Sequence, residues 1–197
     1  NKKDIYLCDS GGQYHYGTTD VTRTVCFSSQ SNKIKNIFTK VLKGHIGVAT
    51  YKLNRNTTGK KIDLVARNPL KKIGLDYAHG TGHGVGYFLN VHEGPQSISK
   101  FNNIKLKEGM ILSNEPGYYE KDKFGIRIEN LIYTKKIKNK LIFENLTLAP
   151  IEKSLINYKL LKENEKKYLN KYHKKVYLNL SPHLNKNEKI WLRSFFN

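Results

Sequence analysis

The segment His79-Gly80-Thr81-Gly82-His83-Gly84-Val85-Gly86 limits the fold more than any other part of the sequence. Glycines between and after two histidines do not suit a helix, and each costs stability unless another backbone must approach closely. Residues 78–88 are therefore predicted to form a loop or strand edge lining a pocket. The segment is not a phosphate loop, because the Lys-Ser/Thr pair is missing and no helix follows. His92, in Asn90-Val91-His92-Glu93-Gly94-Pro95, adds a third imidazole nearby.

Acids stand on both sides of this segment. Asp9 lies in Asp9-Ser10-Gly11-Gly12-Gln13-Tyr14, and Asp20 in Gly17-Thr18-Thr19-Asp20-Val21-Thr22-Arg23-Thr24. Glu115 lies in Ser113-Asn114-Glu115-Pro116-Gly117, and Glu129 in Gly125-Ile126-Arg127-Ile128-Glu129-Asn130. Four carboxylates with one neutral imidazole carry a charge that two divalent cations cancel. Left empty, a buried cluster of this kind would repel itself and its pKa values would climb. Oxygen-rich ligation favours manganese, magnesium or cobalt and tolerates zinc. Two ions about 3.5–4 Å apart can hold a bridging hydroxide and polarise a carbonyl. The donor set is that of a two-metal hydrolase.

The remaining pattern supplies a frame. Residues 4–27 read as a β-hairpin, with Ile5, Leu7, Val21, Val25 and Phe27 as strand formers and Gly11-Gly12 and Gly17 marking bulges or the turn. A turn centred between Tyr14 and His15 would set Asp9 directly opposite Asp20, a like-charge pair that a bound metal would turn into ligation. Residues 31–50 form an amphipathic helix through Ile34, Ile37, Phe38, Val41, Leu42 and Ile46, capped by Ser29 or Ser31. A second helix is expected over about 61–72, with Pro69 demanding a kink or an early end. Strands follow at 110–115 and, as one continuous run, at 124–134, where alternation puts Arg127 and Glu129 on one face. Lys135–Lys140 reads as a basic turn before a strand at Leu141-Ile142-Phe143. After Pro150 two helices are expected, about 161–178 and 185–196, separated by Ser181-Pro182. Trp191, Phe195 and Phe196 either pack back on the domain or form an interface.

Composition excludes other classes. The chain has 197 residues, formal net charge +19, 38% hydrophobic and 26% charged content, which suits a globular domain with a basic surface. The lysines are scattered and mixed with asparagine rather than gathered with aromatics on one element, so no nucleic-acid partner is expected. No apolar run is long enough to cross a bilayer. Cys8 and Cys26 do not make a disulfide framework and read as reduced thiols in a reducing compartment. The chain opens at Asn1 without an initiator Met, so any targeting segment would lie upstream.

The motifs Asp9–Thr24, His79–Gly86, Val91–Pro95, Ile111–Tyr119, Gly125–Asn130 and Phe143–Ile151 together resemble the metallopeptidase family with the pita-bread fold. They resemble most closely its aminopeptidase P (Xaa-Pro aminopeptidase) branch of the eukaryotic cytosolic type. The likeness spans about residues 4–152. Prolidase and methionine aminopeptidase share the five ligands but match the intervening residues less well, and the non-catalytic relatives lack the full ligand set. The resemblance implies an α+β, pita-bread catalytic portion at 1–152, incomplete at its start, followed by a helical C-terminal extension at 153–197.

The resemblance also implies roles. Asp9, Asp20, His83, Glu115 and Glu129 would be the metal ligands, with Asp20 and Glu129 bridging two divalent ions, most readily Mn2+, with Zn2+ or Co2+ as alternatives. Glu115 would also handle the proton of the bridging water, His92 would stabilise the oxyanion, and His79 would contact the substrate backbone. Arg127 and Tyr119 would hold the ligands from outside. The reaction implied is removal of the N-terminal residue from a peptide with proline in second position, by a cytoplasmic homodimer. The alternative within the fold is a prolidase or general aminopeptidase. The family's domain begins well before the strand carrying Asp9, so an isolated copy of this segment is expected to bind metal poorly and show little activity.

Overall fold

The structure is a computed structural model that describes residues 4–88 and 90–196. Its first element is a hairpin of β1 (Ile5–Tyr14) and β2 (Gly17–Cys26), closed by His15 and Tyr16. The register differs from the expected one. Asp9 pairs with Thr22, and Gly11 pairs with Asp20, because Tyr14 stays in the ladder opposite Gly17 and moves the turn one residue on. An aromatic residue favours the extended pairing over a turn position. The pairing shifts by two residues, and side chains alternate with period two, so both acids keep the same face. On that face β2 buries Thr18, Asp20, Thr22 and Thr24, a polar set where a core-forming strand would present aliphatic residues.

Helix α1 (Asn32–Ala49) starts at Ser31, whose hydroxyl accepts from the Ile34 N–H, as the sequence suggested. Its buried stripe contains Ile37, Phe38, Val41, Leu42 and Ile46. Helix α2 (Gly59–Lys71) begins earlier than predicted and admits Pro69 in its last turn, ending soon after it. The two helices cross at Gly44: a Cβ there would sit 2.2 Å from the Ala66 carbonyl oxygen, so only glycine permits this approach.

The histidine–glycine segment is loop and strand edge, as predicted. It contributes the short strand β3 (Gly82–His83), antiparallel to β4 (Ser97–Ile98), and Gly84 bridges to Leu112 of β5 (Ile111–Asn114). Next come the paired strands β6 (Gly117–Glu120) and β7 (Phe124–Arg127), so Gly117 opens a strand rather than completing a turn. Strand β8 (Asn130–Ile137) lies between β5 and β9 (Lys140–Asn145) in a three-stranded antiparallel sheet. The run 124–134 is thus two strands, not one. At the break the Ile128 N–H donates to the Pro116 carbonyl and the Glu129 N–H to the Thr22 carbonyl, partners outside either ladder.

Two short 3-10 turns, Lys153–Leu155 and Tyr158–Leu160, lead into α3 (Glu163–Leu180). Ser181–His183 turns the chain into α4 (Lys186–Arg193), shorter than the expected 185–196. The aromatic end packs back: Phe195 lies edge-on to His173 with ring centres 5.5 Å apart, and Phe196 tilts against Tyr177 at 5.1 Å. Trp191 leans on Phe195 yet stays 57% exposed. Leu169, Tyr172, Val176 and Leu192 from α3 and α4 share one core with Phe38, Val41 and Leu42 of α1. A second cluster under α2 gathers Ile62, Ala66, Ile98, Leu112 and Ile132. Among the described residues no helix is long and apolar enough to cross a membrane. Both cysteines are free.

Candidate metal centre

The polar face of β2 meets β3, the end of β5 and the break between β7 and β8. Asp20, His83 and Glu129 each place one donor atom there, and the three atoms lie within 4.8 Å of one another. His83 Nε2 is 3.3 Å from Asp20 Oδ2 and 3.4 Å from Glu115 Oε1. The other ring nitrogen of His83, Nδ1, is 2.9 Å from the Gly84 carbonyl. A carbonyl only accepts, so Nδ1 carries a hydrogen, and in the neutral ring Nε2 keeps the lone pair that a metal ligand needs.

Backbone packing aims this imidazole. A Cβ on Gly82 would lie 1.9 Å from the Ser113 carbonyl oxygen, and one on Gly84 would lie 2.0 Å from that of Glu93. The close approach inferred from the glycines is therefore real. The His83 N–H donates to Ser113 Oγ at 2.9 Å, and that hydroxyl donates to Glu115 Oε1 at 2.9 Å. One serine thus sets both a histidine and a carboxylate.

Glu129 is 2% exposed. It accepts from the Thr22 hydroxyl at 2.6 Å, and the same hydroxyl accepts from Arg127 Nε at 3.1 Å. Arg127 then fans outward, donating from Nη1 to the Tyr119 hydroxyl at 2.7 Å and from Nη2 to Asp9 Oδ2 at 2.5 Å. Asp9 is half exposed and stands at the rim on Arg127, outside the group of three donors that share one point. His79 Nδ1 donates to the Gly80 carbonyl at 2.7 Å, so its Nε2 accepts from Tyr119, 2.9 Å away. The His92 ring stands perpendicular to that of His83 with centres 4.0 Å apart.

The electrostatics are those of carboxyl groups crowded together away from water. Burial, reinforced by the Glu115 charge, pushes the Glu129 carboxyl up to about 8 despite the Thr22 hydrogen bond. Burial also raises Glu115, against the pull of His83 and Ser113. Burial alone would lower His83, but the hydrogen bond to Asp20 and the Glu115 charge carry it above its ordinary value. All three groups hold protons more tightly than in water, where a cation would do the same work. The residues present fit divalent metal in number, charge and tautomer.

Several supports were not anticipated. Thr22 was findable, since strand alternation from Asp20 puts it on the same face, and Ser113 stands in the same relation to Glu115. Helix α2 contributes as well: its Arg67 donates to the carbonyls of Tyr77 and His79, both at 2.6 Å, and to Asp63 and Asp76. Asp63 in turn accepts from the Thr81 hydroxyl at 2.6 Å. The loop carrying the histidines is therefore tied to α2.

Residues 1–136 match the metallopeptidase family M24, and residues 139–194 match the C-terminal region of peptidase M24. The chain belongs to metallopeptidase family M24. This M24 chain is 50% identical over 206 residues to a probable Xaa-Pro aminopeptidase P of Laccaria bicolor, covering 98% of the chain and 32% of the relative. It superposes on the X-prolyl aminopeptidase of Caenorhabditis elegans, described as a cytosolic enzyme with a di-nuclear active site. That match has a TM-score of 0.94 at 42% identity, over 100% of this chain and 34% of the other. Prolidase from Pyrococcus furiosus matches at TM-score 0.66 and 31% identity, over 74% of this chain and 41% of its own. The fold is the α+β, pita-bread fold of these M24 enzymes. The chain spans about a third of the length of the curated relatives it matches.

Proposed function

We propose that this M24 segment carries the metal centre of an Xaa-Pro aminopeptidase, which removes the first residue of a peptide with proline second. The observation that supports it best is the meeting of Asp20, His83 and Glu129, with Glu115 against His83, in a chain 50% identical to a probable Xaa-Pro aminopeptidase P. Asp9, Asp20, His83, Glu115 and Glu129 would hold two divalent ions, and the excess of carboxylate oxygen over imidazole favours manganese above zinc or cobalt. Bound there, such ions supply Lewis acidity toward the scissile carbonyl and lower the pKa of water.

The chain's own groups do the rest. Glu115, steadied by Ser113, holds and returns the proton of the attacking water. His92, beside His83, faces the developing oxyanion, and His79, fixed by Gly80 and Tyr119, contacts the substrate backbone beyond the scissile bond. Arg127 positions Asp9 and Thr22. A tertiary amide is a poor substrate for general aminopeptidases, so a pocket that fits the proline ring supplies the selectivity. The same reading expects a cytosolic homodimer.

The test uses the full-length protein with Mn2+ and two substrates, an Xaa-Pro-Xaa peptide and an Xaa-Pro dipeptide. Faster cleavage of the longer peptide, lost in His83→Ala, supports the proposal. Preference for the dipeptide makes the protein a prolidase, and undiminished turnover in His83→Ala removes the metal centre from the reaction.

A further inference from the structure

We propose that Arg23 is a positioning residue for the metal-binding carboxylate Glu129, and that through it the C-terminal helical segment sets how tightly the centre holds its ions. The inference rests on the metal-centre reading above. Glu129 occupies the break between β7 and β8, where no strand ladder holds its peptide groups. Three bonds replace the ladder. The Glu129 N–H donates to the Thr22 carbonyl at 3.0 Å, its carboxylate accepts from the Thr22 hydroxyl, and its own carbonyl accepts from Arg23 Nη1 at 2.5 Å. Arg23 Nη1 also donates to the Thr22 carbonyl at 2.8 Å, so one nitrogen joins the backbone of Glu129 to that of Thr22, whose hydroxyl holds the Glu129 carboxylate.

The other arms of the guanidinium reach the C-terminal part of the chain. Nε donates to the Pro150 carbonyl at 2.9 Å. Nη2 donates to the Ala149 carbonyl and to Asn130 Oδ1, each at 2.7 Å, and to the Tyr172 hydroxyl of α3 at 3.1 Å. The Tyr172 hydroxyl donates onward to the Ala149 carbonyl at 2.7 Å. Among the described residues no carboxylate makes an ion pair with Arg23; its direct partners are carbonyls, an amide and a phenol. A planar fork with fixed donor directions suits such a junction, and a lysine ammonium on a flexible stem does not. Strand β2 therefore presents the ligand Asp20 and the support Thr22 on one face, and from the other face sends Arg23 around to grip the backbone of Glu129 and the segment that precedes α3.

The experiment compares wild type, Arg23→Lys and Tyr172→Phe as full-length protein, by Mn2+ titration calorimetry, melting of the metal-free form, and kcat and KM on an Xaa-Pro-Xaa peptide. Arg23→Lys is expected to weaken Mn2+ binding about tenfold or more, the usual cost of losing a group that orients a ligand. Tyr172→Phe is expected to weaken it in the same direction by less. Both are expected to lower kcat with KM little changed, and excess Mn2+ is expected to restore part of kcat. A purely structural role would lower the melting temperature of the metal-free form and leave Mn2+ affinity at its wild-type value; that result overturns the inference. If Arg23→Lys does not fold, Tyr172→Phe decides on affinity alone. Wild type that takes up no Mn2+ overturns the metal-centre reading and this inference with it, whereas wild-type uptake matched by both variants overturns only this inference.

Discussion

Glu129 should make the metal-free protein lose stability as pH rises, and the effect can be sized. Its carboxyl stands at about 8 in the folded chain against an ordinary 4.5, first because it is buried and second because Glu115 is close. A carboxyl whose pKa is raised by folding binds its proton more tightly in the native state. Below about 4.5 both states are protonated and nothing is lost; between there and about 8 the unfolded chain ionises while the native one resists, so stability falls. At about 1.36 kcal/mol per pH unit the full loss is on the order of 5 kcal/mol, a large part of a domain's total. Glu115 and His83 are also raised on folding, so their contributions have the same sign. Urea unfolding of chelator-treated protein between about pH 5 and pH 8.5 measures this. The wild-type curve should descend, Glu129→Gln should descend much less, and added Mn2+ should flatten the wild-type curve by replacing the missing protons. Metal-free stability that stays level or climbs across that window would refute the reasoning, as would a Glu129→Gln profile identical to wild type.

Thr22→Val removes the hydroxyl shared by Glu129 and Arg127 while keeping the side-chain shape; Mn2+ affinity should fall about 10–100-fold in titration calorimetry. Gly44→Ala puts a Cβ 2.2 Å from the Ala66 carbonyl and must force α1 and α2 apart, a cost of about 1–3 kcal/mol, whereas Gly17→Ala meets nothing within 4 Å and should melt close to wild type. Arg67→Met strips the counter-ion from Asp63, which is 1% exposed, and should cost about 3–5 kcal/mol in unfolding experiments.

Much of the frame was legible because periodicity reports faces. The stripe of α1 and its Ser31 cap follow from spacing and one side-chain acceptor. Periodicity does not report partners. The β1–β2 pairing lies two residues from the one a turn between Tyr14 and His15 implies, a difference hydrophobic pattern cannot detect because it returns every side chain to the same face. The split of 124–134 was hidden for a related reason. Its alternation is unbroken, and the break exists only because the peptide groups of Ile128 and Glu129 find the carbonyls of Pro116 and Thr22, distant in sequence.

The centre divides along the same line. Acids and histidines declare themselves, because few structural roles tolerate buried charge, while serine and threonine are common and acquire meaning only once distances are known. Ser113 and Thr22 could be suspected from alternation, but Arg23 could not: nothing near it in sequence says that its fork will close on residues 129, 130, 149, 150 and 172. The glycines around His83 were the most informative residues for a different reason. They carry no chemistry, yet a Cβ at Gly82 or Gly84 would lie 1.9 or 2.0 Å from a neighbouring carbonyl oxygen, far inside any van der Waals contact. The backbone on both sides of His83 is therefore packed against other chain without room for adjustment, and the direction of the imidazole is fixed before any ligand arrives. A site whose histidine is aimed by backbone contact, and whose Glu129 is held through its carbonyl by Arg23 and through its carboxylate by Thr22, needs little rearrangement to bind. The cost falls instead on the empty state, and the descending pH profile predicted for the metal-free protein is its measure.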